Sequence, residues 1–322
     1  MNVARRLALA TLVALVSTAA TAQPADNTPL RIIVPFAAGS TIDAIARTVA
    51  QKLQETTAHH TVIVDNRPGA AGIIGTGAVA KSKPDGKTIL LQANGLSTMP
   101  AIRSDLPYDT LKELAPLTLV GYAPYAWIVP ADSPFNSMKE LFEWSRSTKN
   151  PIMLGTSGTG SQSQFVAVQV EKAEKVVFTQ VPFKGQADIL LAVAGSQIQL
   201  AMMNLPSAIK QYKDKRIKML ATITDKRTAA TPEIPTIGEA GFPSIKEAAW
   251  YGFLAPAATP APLLDRLSKD LIAVLNAPDV RAKLTDLGLD VAATTSQRFG
   301  ESMRGEIATY TRIAREENIK AE

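Results

Sequence analysis

Two short turns hold the residue types in this 322-residue chain whose spacing could do chemistry. The turns at 38–41 (AGST) and 154–161 (LGTSGTGS) combine glycines with hydroxyls and contain no charged side chain. Each is followed by apolar residues at helical spacing, so each leads the backbone into a helix start, where the first N–H groups lack an intrahelical partner. Such a start attracts an anion without help from a basic residue. The expected chemistry is capture of a small anion between two opposed helix starts. Gly39, Ser40 and Thr41 are the candidate donors of the first turn, although Ser40 or Thr41 also suits a plain N-cap. Thr156, Ser157, Gly158 and Ser161 are those of the second. A phosphate loop fits poorly there, because the GK[ST] ending is missing and G-x-x-G-x-G is not the dinucleotide spacing.

Further residues flank these turns. Asn94 and Asn204 each end an expected strand and would point at the same cleft, or be satisfied within their own turns. Lys184 is the one basic residue near that cleft and could pair with a second carboxylate, or simply be solvated. Phe36 could line the pocket or pack beneath the first loop. Asp43, in the first helical turn, suits a local structural role, since a carboxylate beside an anionic ligand would repel it. Gly69, Ala70 and Gly72 suit helix–sheet packing better than ligand contact. Trp127 and Trp250 suit hinge packing better than stacking on an aromatic ligand.

The elements that must position these residues alternate. A strand at 32–34 is followed by a helix whose apolar stripe is Ile42, Ile45, Ala46, Val49, Ala50 and Leu53. Strands near 61–64 and 88–92 flank a helix near 73–81. A long extended segment, 115–130, crosses into a second half, where helices near 138–147, 162–173 and 187–194 alternate with strands near 152–154, 176–181, 198–203 and 218–223. Residues 204–206 read as a turn. A second extended segment, 248–255, returns to the first half, which closes with helices carrying Leu264, Leu267, Leu271 and Leu275, then Phe299, Met303, Ile307, Tyr310 and Ala314. Pro278 suits a helix start and Gly288 a helix end. This pattern predicts an α/β fold of two lobes with parallel sheets, joined by two crossing hinge strands, with the ligand beyond the carboxyl ends of the strands. The expected boundaries are 1–22 for a signal peptide, 23–125 plus 250–322 for lobe 1, and 126–249 for lobe 2.

Arg5 and Arg6 precede the apolar run 7–16, and Ala20-Thr21-Ala22 supplies a small-x-small cleavage pattern. Ten apolar residues are too few to span a bilayer, so the expectation is export to the periplasm without stable membrane insertion. The chain has no cysteine, which excludes disulfides, thiol nucleophiles and cysteine metal sites. With 34 basic and 29 acidic residues the net charge is +5, and it falls to 32 − 29 = +3 without Arg5 and Arg6. No basic cluster is interleaved with aromatics, so no nucleic-acid partner is expected. The two histidines, His59 and His60, fall together in a polar stretch and offer no metal site or relay. No cofactor and no metal are expected.

The chain resembles the Bug proteins, the periplasmic substrate-binding components of tripartite tricarboxylate transporters, along nearly all of its mature length. The resemblance lies in PFAAGSTIDAIAR (35–47), VDNRPGAAGIIG (64–75), KPDGKTILLQANG (83–95), LPYDTLKELAPLTLV (106–120), GTSGTGSQSQ (155–164), VPFKG (181–185), NLPSA (204–208) and WYGFLAPAATP (250–260). It implies a two-lobed, Venus-flytrap (type II) binder of a small carboxylate, not an enzyme, working as a monomer with membrane transporter subunits. Two departures bear on the ligand. Where the family usually reads PFxPGG, Ala38 replaces the proline and Ser40 the second glycine. Gln164 stands where a histidine is common, keeping a hydrogen-bonding side chain that cannot titrate. Two alternatives remain at this level: a ligand sensor acting on a membrane kinase, and a serine hydrolase using Ser157 or Ser161, for which neither histidine supplies a base.

Overall fold

The computed structural model describes residues 28–57, 61–158, 160–183, 185–243 and 248–320. The expected leader, His59, His60 and Lys184 lie outside these residues. In the first half, β1 (Leu30–Val34) pairs in parallel with β2 (Val62–Asn66) on one side and β3 (Thr88–Ala93) on the other. The α1 helix (Thr41–Thr56) leaves β1 and lays its apolar stripe, Ile42 to Leu53, on one face of this sheet. A one-turn 3-10 segment (Ala70–Gly72) leads into α2 (Ile73–Ala80), and β3 runs directly into α3 (Gly95–Ile102).

After the one-turn α4 (Thr110–Glu113), the chain crosses between halves in a single 17-residue strand, β4 (Leu114–Pro130). Beyond it come α5 (Met138–Thr148), β5 (Ile152–Thr156), α6 (Gln162–Glu174), β6 (Phe178–Pro182), α7 (Gln186–Ala194), β7 (Leu200–Asn204), α8 (Leu205–Lys213) and β8 (Ile217–Thr222). The second crossing strand is β9 (Ala248–Pro256). The chain then ends in α9 (Ala261–Asn276), α10 (Pro278–Asp286), the short β10 (Asp290–Val291) and α11 (Ser296–Glu316).

Strand order runs β2-β1-β3-β9-β4-β7-β5-β6, with β8 and β10 also on β4. The partners of β4 change along its length. Up to Pro124 it pairs antiparallel with β9, and from Tyr125 onward with β7 and β8. Each half is therefore a mixed sheet, with parallel outer strands and antiparallel crossing strands at its centre. This corrects the expectation of purely parallel sheets: consecutive βαβ units force parallel neighbours, but a strand that merely passes through the hinge is free to insert antiparallel.

Three helices were not anticipated, the one-turn α4 and two longer ones. The α3 helix forms despite Pro100 within it. Residues 204–206 form no turn, because Pro206 sits in the first turn of α8, where its missing N–H costs nothing. The cores are separate in composition. In the first half α1, α9 and α10 cover one sheet face, while Trp250, Phe299 and Met303 pack on the other. In the second half, Trp127, Phe142 and Phe178 are gathered on one side of the sheet and Ile189, Ala201 and Met203 on the other. Trp127 and Trp250 are thus core residues of the crossing strands, 0% and 2% exposed, and neither presents a face to a ligand.

Candidate functional site

The first turn leaves β1 at Val34 and enters α1 through the exposed residues Ala37, Ala38 and Gly39. Gly39 takes a left-handed backbone (φ 81°), the conformation glycine reaches without a Cβ penalty. Its N–H donates to Asp43 Oδ2 at 2.9 Å. Asp43 also accepts from Arg47 Nε (3.0 Å) and from Asn66 Nδ2 (3.0 Å), which donates as well to the Phe36 carbonyl (3.1 Å). The loop is thereby braced from α1 and from the end of β2. Burial of this carboxylate works to raise its pKa, but the Arg47 guanidinium, the Gly39 N–H and the Asn66 carboxamide together hold it below the ordinary 3.8.

Ser40 occupies the N-cap position of α1 but does not cap it. Its hydroxyl donates to the Ala37 carbonyl at 2.7 Å, and the helix start receives no side-chain hydrogen bond. The first N–H groups of α1, beginning at the exposed Thr41, are left to solvent or to a ligand. Phe36 is half-buried against the α1 core, and its ring approaches Gly72.

Beside this turn, Gly69, Ala70, Ala71 and Gly72 have φ of 136°, 46°, 52° and 93°. Two successive alanines in the left-handed region store backbone strain on the order of 1–3 kcal/mol each, the kind of cost that clusters at ligand clamps. The neighbouring Gly75 serves packing: a Cβ there would come within 2.7 Å of Pro35 Cβ and 2.9 Å of the Arg67 carbonyl.

The second turn is closed on itself. Ser161 caps α6 by accepting from the Gln164 N–H, the Gly160 N–H donates to Gln164 Oε1 (2.7 Å), and the Ser157 N–H donates to Ser163 Oγ (3.1 Å). The expectation of bare amides thus does not describe the second turn, and in the first it is limited to the N–H groups from Thr41 onward, because Gly39 donates to Asp43 and the Ser40 N–H donates to the Ala37 carbonyl at 3.4 Å. In a short loop rich in serine and glutamine, side chains reach backbone donors that would otherwise be unpaired. Thr156 is buried at the end of β5, while Ser157 is exposed and Gly158 half-exposed.

The second turn meets the first half at α3. A Cβ on Gly160 would overlap Ile102 Cδ1 of α3, and α3 continues from β3, the neighbour of β1. Asn94, at the end of β3, engages the hinge: its Nδ2 donates to the Ala248 carbonyl (3.3 Å) and its Oδ1 accepts from the Trp250 N–H (2.8 Å). Asn204 is the N-cap of α8 with no side-chain cap bond, and its own N–H donates to Gln186 Oε1 at 3.3 Å. Its carboxamide has no hydrogen bond among the described residues.

Asn66, Gln162 and Gln186 were not singled out in the sequence. The available signal was that each is an amide side chain at the carboxyl end of a parallel strand or at the helix start that follows one, where ligands of open α/β sheets gather. A separate cavity of about 700 Å³ lies against the crossing strands, lined by Tyr122, Pro124, Ile223, Lys226, Thr236 and Asp290 among others. None of the candidate residues lines it, and its charges are of both signs. Among the described residues no cluster of three or more metal-ligating side chains occurs, and no helix is long and apolar enough to cross a membrane.

Two lobes sharing a pair of crossing strands, with helix starts near the crossing, define a protein of the periplasmic-binding-protein class. Residues 45–319 match the model of the tripartite tricarboxylate transporter family receptor, and the chain belongs to that family. It is similar to the structure of the periplasmic binding protein BugD, at 30% identity over 91% of this chain and 99% of that one, with a TM-score of 0.76. It is also similar to Rpa4515 from R. palustris, solved with adipate (28% identity, 91% and 98% coverage, TM-score 0.79). A third similar structure is MatC from Rhodopseudomonas palustris, with bound malate (26% identity, 88% and 98% coverage, TM-score 0.75). The family is one of solute receptors, and this chain is a binding protein rather than an enzyme.

Proposed function

We propose that this protein captures a small organic carboxylate between its lobes in the periplasm and delivers it to a tripartite tricarboxylate-type membrane transporter. The observation that supports this most is the uncapped start of α1. Its N-cap serine turns away, so the first helical N–H groups, from the exposed Thr41 onward, present a partial positive charge without a side-chain cap. The adipate and malate held by two structural relatives belong to the same ligand class.

In this reading Ser40 and Thr41 hold one carboxylate, and Ser157, Gly158 and Asn204 approach from the other lobe. Lys184, outside the described residues, meets a second carboxylate. Phe36 bounds the pocket, and Thr156, Ser161 and Gln164 set the shape of the second turn. Asn94 acts on the ligand indirectly, by fixing the hinge. Lobe limits of 23–125 plus 250–322 and 126–249 are part of the proposal, as is a leader spanning 1–22.

Each charge-assisted hydrogen bond to a carboxylate contributes about 1.5–3 kcal/mol. Four or five of them, less the cost of ordering the lobes, reach the roughly 8 kcal/mol of a micromolar complex. The test is a thermal-shift titration of the purified protein with malate, adipate and a panel of mono- and tricarboxylates, with sugars as controls. A ligand that binds only the native state raises the melting temperature by mass action. Shifts with sugars and none with any acid would overturn the reading.

A further inference from the structure

Among the described residues, two contacts between the lobes beyond the crossing strands differ in character. On one flank, Phe165 and Val168 of α6 pack against Met99 and Ile102 of α3 and Tyr310 and Ile313 of α11 in one buried apolar cluster. The Phe165 and Tyr310 rings lie 4.8 Å apart. Lys172 of α6 adds ion pairs to Glu316 (3.1 Å) and Glu317 beside α11. On the other flank, a proline ring meets a glycine turn. Pro206, in the first turn of α8, lies against Gly288 in the turn between α10 and β10, so close that a Cβ on Gly288 would overlap Pro206 Cγ.

We infer that the lobes pivot about the α3–α6–α11 cluster and part at the Pro206–Gly288 edge. Separating the first flank would expose six large apolar side chains to water, far beyond what a thermal fluctuation supplies. Separating Pro206 from Gly288 breaks no ion pair or ring contact among the described residues. In this reading β4, β9 and this cluster are the fixed points among the described residues, and the Pro206–Gly288 edge is the gate. The second turn leads straight into α6, so it stays in register with the first lobe. Asn204, two residues before Pro206, moves with the gate and is the candidate binding residue carried furthest when it opens.

The absence of cysteine makes the test direct, since paired spin labels can be introduced at chosen sites. One pair, Ala173→Cys with Arg315→Cys, spans the cluster; the other, Lys210→Cys with Asp286→Cys, spans the gate. All four residues are exposed. Distance distributions measured without ligand should be single and narrow across the cluster, and wider or two-peaked across the gate. Gly288→Ala should wedge the gate, shifting its distances longer while the cluster distances hold. A cluster distribution as wide as the gate's, a cluster distance that lengthens in Gly288→Ala, or two equally narrow distributions would overturn the inference. No ligand enters the measurement, so its failure would leave the carboxylate reading standing.

Discussion

The carboxamides of Asn94 and Gln162 donate to one acceptor, the carbonyl of Ala248, at 3.3 and 3.0 Å. One residue ends a strand of the first half and the other begins a helix of the second, so the first residue of β9 is held from both sides. Asn94→Ala removes this bond and leaves the buried Trp250 N–H without its acceptor. The expected loss is about 1–3 kcal/mol, read as a lower denaturant midpoint. Gln162→Ala should cost less, because Ala248 keeps Asn94. In a double-mutant cycle the two losses should not add.

The braced carboxylate of the first turn makes stability depend on acid. Asp43 has a folded pKa below its ordinary 3.8, so its contribution is complete above about pH 5 and is lost as pH falls through the folded value. Asp43→Asn should therefore melt below wild type by a constant margin near neutrality, and the margin should shrink below pH 4. Calorimetric scans at stepped pH provide the check; a margin that widens in acid would contradict the assignment.

Tight packing between β9 and α11 sets a third expectation. A Cβ at Gly252 would overlap the ring of Phe299, which is 1% exposed and stacks edge-on against Trp250 at 5.2 Å. Gly252→Ala should destabilise by about 1–3 kcal/mol through overpacking. Gly305→Ala, with nothing within 4 Å of the added Cβ, should raise stability slightly by favouring the helix of α11. Melting temperatures of the two variants should move in opposite directions.

Binding and stability should separate at the first turn. Ser40→Asp places an anion at an N-cap, which suits the helix and leaves melting unchanged or higher. The same charge should weaken any bound carboxylate about tenfold or more, since even 1.4 kcal/mol of repulsion has that effect. Titration calorimetry with whichever acid gives the largest thermal shift measures it, and undiminished affinity would remove Ser40 from the site.

The local elements were legible because their signals are local. The apolar stripe of α1 and the glycine-to-helix passage before α6 appear in the structure within a residue of where the periodicity puts them. Asp43 does bond its own turn, as its place in the first helical turn suggested. What was hidden depends on distant partners. The acceptor role of Asn94 toward Trp250 spans 156 residues, and the antiparallel insertion of β9 between β3 and β4 leaves no trace in either sequence. The self-closure of the second turn escaped for another reason. Gln164 reads as a side chain for a ligand and Ser163 carries no signal of its own, whereas in the structure both accept from amides of their own loop.

The return of the chain through β9 has a consequence for its biogenesis. Leu267, Leu271, Val274 and Leu275, which cover the β1–β3 sheet beside α1, arrive only with residues 261–276, and Phe299 and Met303, on the opposite face, only with α11. A nascent polypeptide leaving the ribosome thus has no means of finishing its amino-terminal nucleus until synthesis is almost over.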